Sequence, residues 1–132
     1  MDDSAGKRTA LKSFHIDGAG QRPDGSGSGF AWVRLGTDKQ RVKRIDGLSN
    51  NQSEYRALLA VLRYVAEGSN VRICTDSMLV AEQFAGRWAV NNPELAKLLS
   101  TARELIEDKS LRVEVQWIPR QQNEAGRLLE KQ

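Results

Sequence analysis

The chain has 132 residues, 39% of them hydrophobic and 28% charged, with a formal net charge of +3 and a pI near 9.2. These values fit a single globular domain, leave no room for two ordinary domains, and exclude wholesale disorder. No run of about 18 apolar residues marks a membrane span, and the single cysteine, Cys74, excludes an internal disulfide framework.

Residues 1–11 are small and polar without periodicity, and a loose tail is expected there, ahead of one domain over residues 12–132. The polar start Met1-Asp2-Asp3-Ser4 is unlike a signal peptide, so the expected compartment is the cytoplasm. Residues 13–16 predict a first strand ending at Asp17. A Gly/Ser-rich segment over residues 18–29 and a second strand over residues 30–33 follow. After a turn at Thr37-Asp38, residues 40–45 predict a third strand. The short links imply antiparallel pairing of these three.

The period then changes. Leu58, Val61, Leu62 and Val65 recur at i, i+3, i+4 and i+7, predicting an amphipathic helix over residues 53–67 that Gly68 ends. Residues 71–75 predict a buried fourth strand in which Cys74 is a small hydrophobe. A second helix is expected over residues 77–85, and a third begins at Pro93, a favourable first helical residue. Residues 112–117 alternate charged and apolar side chains as a fifth strand, and a last helix starts near Asn123. This order implies an α/β fold: a five-stranded mixed sheet, three antiparallel strands then two parallel ones, flanked by helices. In such sheets ligands bind outside the carboxyl ends of the parallel strands.

Three acidic residues fall at that end. Asp17 closes the first strand, Asp76 closes the fourth, and Glu54 lies in the first helix on the face of its apolar stripe. Converging carboxylates repel unless a cation neutralises them, and an all-oxygen set favours Mg²⁺ or Mn²⁺ over zinc. Each also has a simpler reading. Glu54 can complete a capping box from Asn51, Asp76 can cap the second helix, and Asp17 before glycine can be a turn residue.

The motifs Phe14-His15-Ile16-Asp17-Gly18-Ala19-Gly20, Asn50-Asn51-Gln52-Ser53-Glu54, Thr75-Asp76-Ser77 and Trp117-Ile118-Pro119-Arg120-Gln121-Gln122-Asn123 stand in an informative order and spacing. Together with Gly86-Arg87-Trp88 they make the chain from about Ser13 onward resemble type 1 ribonuclease H. The resemblance is to the short, reverse-transcriptase-like form, without an inserted basic helix or a separate hybrid-binding domain. It implies hydrolysis of the RNA strand of RNA–DNA hybrids by two divalent ions, leaving 5′-phosphate and 3′-hydroxyl ends. Asp17 would bridge both metals, and Glu54 and Asp76 would hold the second. Gly18, Ala19 and Gly20, with Asn50, Asn51 and Gln52, would contact the hybrid and sense the RNA 2′-hydroxyls. Trp88 would face the DNA strand; its alternative is a partly buried packing residue. No small-molecule cofactor is implied, and the chain is expected to act as a monomer.

The sequence departs from that family at two places. A fourth carboxylate is usual in the first turn of the last helix. Aligning on Ala125 puts Gly126 there, while a small shift offers Asn123 or Glu124. Asn123 is the expected fourth ligand, since its amide oxygen can bind a hard cation; its alternative is an ordinary N-cap. A neutral fourth ligand implies a preference for Mn²⁺. The histidine usual before that helix is replaced by Pro119-Arg120-Gln121-Gln122, where Arg120 would contact phosphate. The only histidine, His15, shares the strand face of Asp17 and reads as structural. Two other functions compete: a non-cleaving hybrid-binding module, and the same fold used for other nucleic-acid processing.

Overall fold

In the computed structural model, which describes residues 10–131, the chain runs through three strands, β1 (Leu11–Ala19), β2 (Gly29–Arg34) and β3 (Gln40–Arg44). Then follow helix α1 (Asn50–Tyr64), strand β4 (Asn70–Thr75), helices α2 (Met78–Phe84) and α3 (Pro93–Asp108), and strand β5 (Arg112–Trp117). A short 3-10 turn (Arg120–Gln122) leads into helix α4 (Glu124–Glu130). The five strands form one sheet in the order β3-β2-β1-β4-β5. β1–β2 and β2–β3 pair antiparallel, whereas β1–β4 and β4–β5 pair parallel, as the element order implies.

Alternation along β1 sorts its side chains between two faces. Phe14 and Ile16 enter the main core with Trp32, Tyr55, Leu58, Leu62, Ile73 and Leu99, which joins the sheet to α1 and α3. His15 and Asp17 take the opposite face, where Ala31, Ala125 and Leu129 form a second, smaller buried cluster under α4. Cys74 is buried as expected, and burial pushes its thiol up from the usual range.

Several boundaries differ from expectation. Leu11 pairs with Asn70 inside β1 rather than belonging to the tail, and residues 1–9 lie outside the described part of the chain. β1 also continues past Asp17 to Ala19, and Ile45 falls beyond β3. Helix α1 starts at Asn50 because Ser49 caps it. The Ser49 hydroxyl accepts from Gln52 N at 3.1 Å, and Gln52 Oε1 accepts from Ser49 N at 2.8 Å. It stops at Tyr64, before Gly68, because Val65 is already extended at φ −70, ψ 151.

Candidate active site

The parallel register Ile16↔Thr75 brings the residues that follow, Asp17 and Asp76, together at the carboxyl ends of β1 and β4. Glu54 arrives from the opposite side of the sheet, in the second turn of α1. That approach depends on Gly18: a Cβ there would sit 2.4 Å from Glu54 N and 2.5 Å from the Ser53 carbonyl carbon. The missing side chain lets α1 rest directly on β1. Ser53 Oγ donates to Ala19 O at 2.9 Å, and Gly18 N donates to Glu54 Oε1 at 3.0 Å. One carboxylate oxygen from each of Asp17, Glu54 and Asp76 lies within 4.8 Å of the others.

The simpler roles for these acids go to their neighbours. Ser49 and Gln52 form the capping box, Ser77 caps α2 by accepting from Val80 N at 3.2 Å, and Asp17 lies within a strand, opposite Ala31. Glu54 is 2% exposed and Asp17 is 8% exposed, so both are largely withdrawn from water. Burial pushes both carboxyls above the ordinary range, and for Glu54 the neighbouring Asp17 charge adds to it. A hydrogen bond with Glu54 and the charge of Arg120 act in the other direction on Asp17. Among the described residues no Lys or Arg forms a salt bridge with any of the three. Three hard oxygen donors, two of them buried and lacking a cationic partner, suit a divalent cation such as Mg²⁺ or Mn²⁺.

Asn123 reaches this cluster in a different role from the one expected of a ligand. It is 1% exposed, and its Oδ1 accepts from Ala125 N at 3.0 Å and Gly126 N at 3.3 Å, so the amide oxygen is turned into α4 as an N-cap. Its Nδ2 donates to Ile16 O at 2.9 Å and Asp76 Oδ2 at 3.1 Å, tying the ends of β1 and β4 to the start of α4. Gly126 is the residue that faces the acidic site from α4. A Cβ there would lie 3.3 Å from Asp17 Oδ2. Glu124 instead meets His15, whose Nδ1 accepts the Glu124 N–H at 3.0 Å. Burial holds the His15 imidazole below its usual range, which suits this acceptor role, and the residue is structural as expected.

A cleft of about 570 Å³ opens over the carboxylates, lined by Gly18, Ala19, Gly20, Asn50 and Arg120 among the expected contacts. Asn51 and Gln52 are not part of its wall. The Gln52 amide is engaged at both ends, by Ser49 N and by the Glu94 carboxylate. Trp88, 48% exposed in the loop between α2 and α3, also stands outside the cleft. Sequence pattern passed over six wall residues, among them Arg22, Arg44 and Ser77; the others are Gly27, Leu129 and Glu130. Arg22 lies in the glycine segment and Arg44 ends the basic third strand, and those positions were the available signal. Ser77 stands beside Asp76 in the Thr75-Asp76-Ser77 motif.

Comparison with known proteins agrees with this geometry. The sequence profile of the family described as reverse transcriptase-like matches residues 17–131. The bifunctional protein Rv2228c of Mycobacterium tuberculosis is 36% identical over 91 residues, covering 67% of this chain and 24% of that protein. The ribonuclease HI of Halobacterium salinarum is 34% identical over 98 residues, covering 70% of this chain and 49% of that protein. The chain thus spans about half or less of these relatives' length.

Among solved structures, RNase H1 from Halobacterium salinarum superposes with a TM-score of 0.76 at 29% identity, covering 91% of this chain and 94% of that one. The N-terminal RNase H domain of Rv2228c, solved as a fusion with maltose-binding protein, gives 0.74 at 31% identity, covering 91% and 95%. LC11-RNase H1, solved in complex with an RNA/DNA hybrid, gives 0.76 at 23% identity over 89% and 92%, a likeness of fold. The described residues include no helix long and apolar enough to cross a membrane. By profile, sequence and fold, the chain belongs to the reverse-transcriptase-like family of ribonuclease H domains.

Proposed function

We propose that this chain is a metal-dependent endoribonuclease that hydrolyses the RNA strand of RNA–DNA hybrids, leaving 5′-phosphate and 3′-hydroxyl ends. The observation that carries this reading is the convergence of Asp17, Glu54 and Asp76, with no salt bridge to them among the described residues, in a cleft lined by glycine backbone and arginine. Simple polyanion binding would gain nothing from that negative charge. Asp17, Glu54 and Asp76 would hold two divalent ions, which supply an activated water and stabilise the leaving oxygen of an in-line displacement.

The chain's own residues do the remaining work. The missing side chains of Gly18 and Gly20 let α1 rest against this segment, where a Cβ would meet Glu54 N and Asn50 N, and the backbone beside it is left in the cleft wall for a hybrid to contact. Asn50 offers an amide at the same wall, and Arg120 supplies positive charge for a phosphate. In place of the fourth-ligand role, we assign Asn123 a positioning role: its Nδ2 holds one oxygen of Asp76 and leaves the other free. A monomeric domain that begins with β1 at Leu11 and acts in the cytoplasm belongs to the same proposal, and needs no cofactor besides the metals.

The runner-up is a hybrid-binding module weakened in catalysis, and a specific observation favours it: Gly126 places no ligand beside Asp17. A labelled hybrid incubated with Mg²⁺, Mn²⁺ or EDTA separates the two. The nuclease reading expects metal-dependent RNA cleavage, more active with Mn²⁺, that Asp76→Asn lowers by about a thousandfold, or roughly 4 kcal/mol of barrier. Hybrid binding without cleavage under either metal would overturn it and leave the binding module.

A further inference from the structure

A second concave surface lies away from the carboxylates, between the edge strand β3 and the C-terminal turns of α1. It has a volume of about 490 Å³. Trp32 forms its floor at 3% exposure, and Tyr64, 45% exposed, leans over it with ring centroids 4.5 Å apart and planes at 42°. Four cations, Lys39, Arg41, Lys43 and Arg63, surround this aromatic pair, and no carboxylate among the described residues lines the groove. All four are exposed, and among the described residues none of them forms an ion pair. The active-site mechanism uses none of them.

The arrangement has a regular spacing. Lys39, Arg41 and Lys43 alternate with Gln40 and Val42, so they project to the α1 side of the edge strand, while Val42 packs toward the α4 cluster. Successive cations on one strand face are about 6.7 Å apart, twice the rise per residue. That interval is comparable with the spacing of successive phosphates along an extended single strand. An exposed aromatic ring flanked by such a row is the combination that holds unpaired bases: the ring stacks on a base and the cations track its backbone. An acidic peptide would satisfy the charges but leave the tyrosine face without a matched partner. The Watson–Crick pairs of a duplex would keep their bases from reaching the ring.

We propose that this groove is a binding site for single-stranded nucleic acid, in which Tyr64 stacks a base while Lys39, Arg41, Lys43 and Arg63 hold the adjoining phosphates. The basic strand continues into Arg44 at the wall of the catalytic cleft, so an unpaired overhang leaving a bound hybrid can turn around the sheet edge into the groove. The single-strand affinity itself does not depend on the nuclease reading, because no metal and no carboxylate takes part.

The test uses the full chain in EDTA, with fluorescence anisotropy of a labelled oligothymidylate titrated against wild type, Arg41→Glu/Lys43→Glu and Tyr64→Ala. The charge reversal is expected to weaken binding about tenfold or more. It should also flatten the slope of log affinity against log salt by about 0.7 for each phosphate that is no longer neutralised. Tyr64→Ala is expected to weaken binding about fivefold, the lower range for one stacked base. Tyr64 also packs against Trp32, so the double charge variant, confined to exposed side chains, keeps the test valid if Tyr64→Ala unfolds. In metal, cleavage of a blunt hybrid is expected to be unchanged in the charge variant, while a hybrid with a single-stranded overhang loses its added affinity. Wild-type affinity for the oligonucleotide in the charge variant would overturn the proposal. So would equal displacement from the groove by poly-glutamate, which would mark it as a site for acidic protein segments.

Discussion

On the α1 side of the sheet, Phe14, Ile16, Trp32, Ile73 and the helix stripe Leu58, Val61 and Leu62 close into a large apolar core. On the α4 side, Ala31, Ala125 and Leu129 form a thin buried cluster, and His15, Asp17 and Asn123 are buried beside it. The first face is held by area removed from water, at about 25 cal/mol per Å² of apolar surface. The second is held largely by aimed hydrogen bonds: Asn123 to Asp76 and Ile16, and His15 to the first turn of α4. Such bonds fix atoms relative to one another, which a greasy contact does less well. Asp17 and Asp76 thus lie on the face where the packing is thin, and Glu54 reaches them from the α1 side. Small residues bring α4 close to β1, and polar ones set its registry against the catalytic strand ends.

The largest break in that comparison should come from paired truncations. Leu58→Ala should cost about 3–5 kcal/mol and Leu129→Ala about 2 kcal/mol in denaturant unfolding, because only the first leaves a cavity enclosed on all sides. Equal losses would mean that the α4 face carries as much of the fold as the α1 face. Next, Asn123→Ala should cost about 1–3 kcal/mol, since it removes a cap and leaves Ile16 O without its donor. It should also raise the metal concentration needed for half-maximal cleavage, and Asn123→Asp, which still caps but can donate to neither Ile16 O nor Asp76, should recover only the capping part of that stability and leave the metal-free protein less stable than wild type.

The pH response sharpens the contrast further. Burial raises the Asp17 and Glu54 carboxyls above their unfolded values of 3.8 and 4.5, so the metal-free folded chain holds these protons more tightly than the unfolded chain. Their contribution to stability is therefore full below those unfolded values, and is lost as pH rises through the raised folded ones. The metal-free protein should lose melting temperature as pH rises from acid toward neutral on account of this pair. Glu54→Gln should blunt that loss, and a divalent cation should reverse it at neutral pH. A melting curve indifferent to both would place the acids in water rather than in a buried cluster.

The smallest effect expected is from Gly126→Asp. The new carboxylate would stand beside Asp17, lowering the melting point without metal and reducing the metal requirement for cleavage a few-fold, roughly 1 kcal/mol. An unchanged metal requirement would show that position 126 does not address the metals at all.

Much of this molecule was readable from residue order alone. The period-2 runs, the i, i+3, i+4, i+7 stripe of α1 and the Pro93 start determined the elements and their order, and with them the mixed sheet and the meeting of Asp17 with Asp76. Local periodicity suffices for that because each element must bury its own apolar face. Helix ends were legible less well: α1 begins at a Ser49–Gln52 box that the hydrophobic stripe does not report, and it ends on the backbone angles of Val65. Spacing also could not assign the two polar ends of one amide. Only the packed structure decided that the Asn123 oxygen serves α4 while its nitrogen serves Asp76, and that Gly126 faces Asp17. Those outcomes depend on how α4 lies on the β1–β2 part of the sheet, where the small side chains Ala31 of β2 and Ala125 of α4, 94 positions apart in the chain, meet only once the sheet has formed.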